Sequence, residues 1–159
     1  MLFTDGSVDA KTRVGYGAYL AVSDIDVPLV ALQEKLNLKQ FENTTSTTLE
    51  LQTLLWAASE ALLFNAEETI EVIIYTDSQN IAGLPARRSH LERQDYCSGS
   101  GRRLNNAELY QAFYGVMDQY HCQVIKVDGH KPRHLKNDVD RVFALVDKAS
   151  RSALRNFSR

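Results

Sequence analysis

Little in this chain could staple a small scaffold together. Its 159 residues include two cysteines, Cys97 and Cys122, and neither sits in a metal-binding or redox motif. Reduced, structural thiols are therefore expected rather than a disulfide framework. There are three prolines, one tryptophan, no low-complexity run and no internal repeat, so the composition is that of an ordinary globular protein. No stretch approaches twenty apolar residues, and no basic-then-apolar leader opens the chain. These absences lead us to expect a soluble cytoplasmic protein with no membrane partner, built as a single domain over residues 1–159.

A large net charge is also missing. The formal value is −2, which by itself points away from nucleic acid, yet the charges are unevenly placed. Residues 1–80 carry 4 Lys/Arg against 12 Asp/Glu, whereas residues 81–159 carry 14 against 8. An acidic half beside a basic half suits a protein that holds cations with one part and phosphates with the other.

The apolar residues that are present change their period along the chain. Met1-Leu2-Phe3-Thr4 reads as a short buried strand that Asp5-Gly6-Ser7 brings to an abrupt end. Tyr16, Ala18, Leu20 and Val22 alternate as a second strand, and Gly15 and Gly17 on the opposite parity imply a close neighbour there. Val30, Leu32, Leu36 and Leu38 alternate as a third, and short links make the three an antiparallel meander. Leu51, Leu54, Leu55, Ala58 and Leu62 then recur at helical spacing, with Asn65 and Ala66 closing the helix. A fourth strand, residues 70–76, runs into Asp77-Ser78-Gln79, where Asp77 is placed to cap a short helix that stops before Pro85. The strand–helix–strand spacing makes a right-handed crossover, so the strands ending at Asp5 and Asp77 should be parallel neighbours.

Residues 86–104, with Arg87, Arg88, Arg93, Arg102 and Arg103, read as a basic surface loop. A helix follows, with Asn105 and Glu108 as a cap pair, and then a buried fifth strand from Cys122 to Val127. That strand ends in Asp128-Gly129-His130, and an amphipathic helix over residues 138–156 completes the α/β pattern.

Several acids should therefore meet at one rim of a mixed sheet. Taken singly, each has an ordinary reading. Asp5 fits a turn, Asp77 a helix cap, and Glu50 the acidic member of a Thr47-x-x-Glu50 capping box, while Asp140 and Asp147 fit solvated helix charges. Together they are costly without cations, because like charges in a partly desolvated site repel. An all-oxygen set without cysteine or paired histidines suits Mg²⁺ or Mn²⁺.

Thr4-Asp5-Gly6-Ser7, Thr48-Leu49-Glu50-Leu51, Tyr75-Thr76-Asp77-Ser78-Gln79, Asn106-Ala107-Glu108-Leu109-Tyr110 and Gly129-His130 occur in that order. The series resembles type 1 ribonuclease H, including the version attached to retroviral reverse transcriptases, over essentially the whole chain. The resemblance implies a ribonuclease H-like fold, a five-stranded mixed sheet in the order 3-2-1-4-5 flanked by α-helices. It also implies endonucleolytic cleavage of the RNA strand of an RNA–DNA hybrid, with two Mg²⁺ ions that Mn²⁺ can replace, leaving 5′-phosphate and 3′-hydroxyl ends.

Asp5, Glu50 and Asp77 match the family's first three metal carboxylates, and His130 matches its mobile histidine. The fourth carboxylate has two candidates. The family's spacing after the histidine selects Asp140, whereas the run Val146-Asp147-Lys148-Ala149-Ser150-Arg151 resembles the catalytic segment and favours Asp147, our choice. By the same resemblance Ser46, Thr47, Gln79 and Asn106 contact the hybrid, and a monomer is expected. Two rivals remain open: another polynucleotidyl transferase of the same superfamily, and a hybrid-binding module without catalysis. Cleavage confined to the RNA of a hybrid excludes the first; Mg²⁺-dependent cleavage excludes the second.

Overall fold

The computed structural model describes residues 1–62, 71–129 and 131–158. Its centre is a five-stranded sheet in the order β3-β2-β1-β4-β5, formed by β1 (Leu2–Asp9), β2 (Val14–Ala21), β3 (Asn37–Phe41), β4 (Val72–Thr76) and β5 (Cys122–Lys126). The first three strands pair antiparallel, and β4 and β5 continue the sheet in parallel. The helices are α1 (Leu29–Gln33), α2 (Ser46–Ala61), α3 (Gln79–Arg93), α4 (Ala107–Tyr120) and α5 (Asp138–Phe157). The sheet order and the parallel placement of β1 beside β4 are as expected. The proposed helix end at Asn65 and Ala66 lies outside the described residues, as does His130.

Both faces of β1 are buried, which is why its opening residues are a continuous apolar run rather than an alternation. Leu2 packs with Leu51, Leu54, Ile81, Leu84 and Phe113 under α2, α3 and α4. Phe3 turns to the other side and joins Leu20, Val142, Phe143 and Val146 under α5, with its ring stacked on Tyr75 at 4.7 Å. Each such fully buried aliphatic or aromatic side chain contributes about 1.5–3 kcal/mol by leaving water. Among the described residues no helix is long and apolar enough to cross a membrane.

Helix α2 lies close on the sheet, and the glycines of β1 and β2 explain how. A Cβ at Gly15 would stand 2.6 Å from Leu49 Cδ2, and one at Gly17 would stand 2.2 Å from Thr53 Oγ1. The close neighbour foreseen from the glycine parity is thus a pair of side chains four residues apart on one helix face.

Four local readings of the sequence are corrected. Strand β1 does not end at Asp5 but runs on to Asp9, because β2 pairs with it along its whole length. What ends near Asp5 is the parallel pairing with β4, whose register covers Leu2↔Ile74 and Phe3↔Tyr75. Residues Val30 and Leu32 belong to the short helix α1, with Leu32 buried and Val30 71% exposed, and the third strand starts later, at Asn37.

Helix α3 passes straight through Pro85 to Arg93, so much of the expected basic loop is helical. A mid-helix proline costs about 3 kcal/mol, and contacts with α4 offset it. The Tyr114 hydroxyl donates to the Leu84 carbonyl at 2.8 Å, and Arg88 grips Asp118 at 2.6 and 2.8 Å while lying over the Tyr114 ring. Finally, Asn105 is not a cap. Helix α4 begins after Asn106, whose side chain accepts a hydrogen bond from Thr48 at 3.0 Å instead of capping its own helix.

Candidate active site

Four carboxylates from four different elements reach one rim. Asp5 stands on β1 where β4 stops pairing with it, and Asp77 occupies the single residue between β4 and the α3 cap. Glu50 lies in the opening turns of α2, and Asp147 lies midway along α5. The cap of α2 is Thr45, which accepts from the Thr48 amide, and the cap of α3 is Ser78, which accepts from the Ile81 amide. Neither Glu50 nor Asp77 therefore does the capping work that its ordinary reading assigned. Glu50 instead accepts a very short hydrogen bond from the Ser78 hydroxyl.

Electrostatics show how close these groups are. Burial pushes the Asp5 carboxyl up from 3.8 to about 6; the Ser150 hydroxyl and Gly6 amide pull against it, and the charges of Asp77 and Asp147 add to it. Burial likewise raises Glu50, opposed by Ser78 and assisted by Asp77. Asp77 is thus the shared neighbour of Asp5 and Glu50, and the charge of Asp147 also acts on Asp5. Gly129 closes the rim against Asp77, since a Cβ there would meet Asp77 Oδ2 at 2.6 Å.

Among the described residues no three acid, histidine or cysteine side chains cage an ion by themselves. Glu50 is held by Ser78, Asp5 by Ser150, and Asp147 by Arg151 at 2.8 Å. The donor set still fits a hard divalent cation. All four groups are carboxylates, and burial and like charge disfavour the ionised form of Asp5 and Glu50, the frustration that a bound cation would relieve.

Asp140 is engaged elsewhere. Its backbone amide donates to the Asn137 side chain, and its Oδ2 accepts from the Asn137 amide at 3.0 Å and from Lys131 Nζ at 2.7 Å. Burial pushes its pKa up, but Lys131, the Asn137 amide and Lys136 outweigh that and hold it below the usual carboxylate range. Asp140→Ala removes both the capping box and the ion pair. It should cost about 1–2 kcal/mol of stability, read as a lower urea midpoint with an unchanged slope.

Gln79 is engaged by Lys126 at 2.7 Å, and Asn106 by Thr48. Ser46 and Thr47 open α2, with Ser46 exposed and Thr47 half-buried. Sequence reasoning missed Ser78 and Ser150 as partners of the acids. The available signal was the burial expected for Ser150, which follows Val142 and Val146 at helical spacing yet is polar.

A pH dependence follows from Asp5. Its folded-state value lies above its ordinary one, so its ionisation weakens the fold: stability is full below about pH 4 and falls as pH rises to about 6. Asp5→Asn removes this penalty. In EDTA the variant should gain on the order of 1–2 kcal/mol over wild type at pH 7.5 and nothing at pH 4, measured by urea denaturation at both values. Equal midpoints at pH 7.5 would contradict it.

With this geometry in view, residues 1–150 match the family model described as RNase H. The chain belongs to the RNase H family. No curated protein sequence matches it significantly. Among solved structures, the fold resembles that reported as "Solution structure of PFV RNase H domain", with a TM-score of 0.68, 15% identity, and 95% of this chain and 91% of that chain covered. It also resembles the foamy viral protease-reverse transcriptase in complex with dsDNA, with a TM-score of 0.62, 12% identity, and 94% and 92% covered. The same enzyme in complex with an RNA/DNA hybrid gives 0.63 at 10% identity, covering 94% of this chain and 19% of that one. At these identities the likeness shows the shared fold alone, and the RNase H architecture is the one expected from the sequence.

Proposed function

We propose that this RNase H protein is an endonuclease that hydrolyses the RNA strand of RNA–DNA hybrids and leaves 5′-phosphate and 3′-hydroxyl ends. The observation that carries the reading is the gathering of Asp5, Glu50, Asp77 and Asp147 on one rim, where burial raises Asp5 and Glu50 and the neighbouring acids add to the shift. A fold shared with a reverse transcriptase described in complex with an RNA/DNA hybrid supports the substrate class.

Asp5, Glu50, Asp77 and Asp147 would hold two Mg²⁺ ions. When bound, such ions lower the pKa of the attacking water and neutralise charge on the leaving 3′-oxygen. The protein's part is orientation. Ser78 fixes Glu50, Ser150 fixes Asp5, and the close approach of Gly129 fixes the wall beside Asp77. His130 is assigned proton transfer or product release. Ser46, Thr47, Gln79 and Asn106 are assigned to the hybrid, which would be read by groove shape and 2′-hydroxyls rather than by base sequence.

The test is direct. A uniform RNA–DNA hybrid should be cut in its RNA strand with Mg²⁺ and left intact with EDTA, and duplex DNA should not be cut at all. A protein that bound the hybrid but never cleaved it would refute the assignment.

A further inference from the structure

Ser150 is a polar residue in an otherwise apolar contact. It lies on α5, is 0% exposed, and follows Val142 and Val146 on the face that α5 turns to the sheet. Its single hydroxyl hydrogen has three oxygen neighbours: Asp5 Oδ2 at 2.5 Å, the Asp147 carbonyl at 3.0 Å and Ser7 Oγ at 3.1 Å.

The usual fate of a buried helical serine is to donate to a carbonyl one turn back. Here the carboxylate contact is shorter by half an ångström and falls in the range of charge-assisted O–H···O⁻ bonds. Ser150 therefore donates to Asp5, and its oxygen accepts from Ser7. Two hydroxyls in series, one on α5 and one on β1, thus end on the first carboxylate of the rim. The serine stands three residues after Asp147 on the same helix, so the bond that fixes Asp5 also sets where α5 presents Asp147.

We infer that Ser150 is a positioning residue for the cation site, in which its hydroxyl, backed by Ser7, locks the Asp5 carboxylate and ties it to the helix bearing Asp147. The inference rests on the nuclease reading above, because it takes Asp5 and Asp147 to be ligands. Partners of this kind, which orient a ligand without touching the ion, typically change metal affinity about 10–100-fold when removed.

The experiment is a Mn²⁺ titration of the full chain, without nucleic acid, following the free ion by electron paramagnetic resonance. Ser150→Ala should weaken Mn²⁺ binding about 10–100-fold. In the Asp5→Asn background the same substitution should cause no further loss, since the carboxylate it orients is gone. Ser150→Cys keeps the volume but offers a weak donor; it should fall between wild type and Ser150→Ala, and it carries the test if the alanine variant does not fold. Wild-type affinity in Ser150→Cys or Ser150→Ala would overturn the inference. So would losses that multiply in the double variant, because a packing role would act independently of Asp5. A wild-type protein that binds no Mn²⁺ would remove the nuclease reading itself, a result distinct from either.

Discussion

Asp147→Asn should lower Mg²⁺-dependent cleavage of a hybrid on the order of 10³-fold, whereas Asp140→Asn should keep most of the rate. The two residues lie seven apart on α5, about 10 Å along its axis, so they cannot serve one site interchangeably. Asp147 is near enough to add its charge to the raising of Asp5. Among the described residues its carboxylate pairs with Arg151, one turn along the same helix, a partially exposed pair that contributes little and exchanges easily for a cation. Asp140 is 7% exposed and already satisfied by Lys131 and by the start of its own helix. Asparagine preserves the shape of either side chain and removes the charge, so only a charge that acts on the substrate or its metal should matter. The measurement is kcat at saturating hybrid, with circular dichroism to confirm the fold. Loss in Asp140→Asn with retention in Asp147→Asn would reverse the assignment.

Gly17→Val should be among the most damaging single changes available, costing about 3 kcal/mol or more. An added Cβ would meet Thr53 at 2.2 Å from Oγ1, 2.9 Å from Cγ2 and 3.0 Å from Cβ, so no rotation of one atom relieves the clash. Thr53 is itself pinned, donating to the Leu49 carbonyl at 2.8 Å and buried completely. Helix α2 must then lift from β2, and Glu50 lifts with it, so activity should fall by more than the unfolded fraction explains. Thr53→Ala in the same chain should recover much of the stability, because it removes two of the three clashing atoms. Unchanged thermal stability in Gly17→Val would show that α2 is seated elsewhere.

Asp5 and Asp77 were legible at the rim because each follows an apolar strand and sits in a local turn, whereas the choice of Asp147 over Asp140 rested on the resemblance. Two short links and one crossover placed the first four strands, while the full order 3-2-1-4-5 came from the resemblance to type 1 ribonuclease H. The failures share a cause, which is tertiary support invisible along the chain. Alternation over Val30 to Leu38 imitated a strand, while the real strand, at the sheet edge with β2 as its one neighbour, is mostly polar and exposed. Pro85 reads as a helix end, and only the grip of Tyr114 and Arg88 on α4 shows otherwise. Asp77 looked like a cap by its position, yet the next residue, Ser78, has the hydroxyl that reaches the Ile81 amide.

The split origin of the rim has a consequence for how such a protein is made. Two of the groups around Asp5, namely Asp147 and Ser150, come from α5, which is synthesised well after the strand that carries Asp5. A nascent chain can build its sheet and still lack one of the four carboxylates at its edge and the serine that holds another. On the nuclease reading proposed above, cutting power is withheld until α5 is in place, and a nucleolytic assay would report docking of that helix rather than mere collapse of the polypeptide.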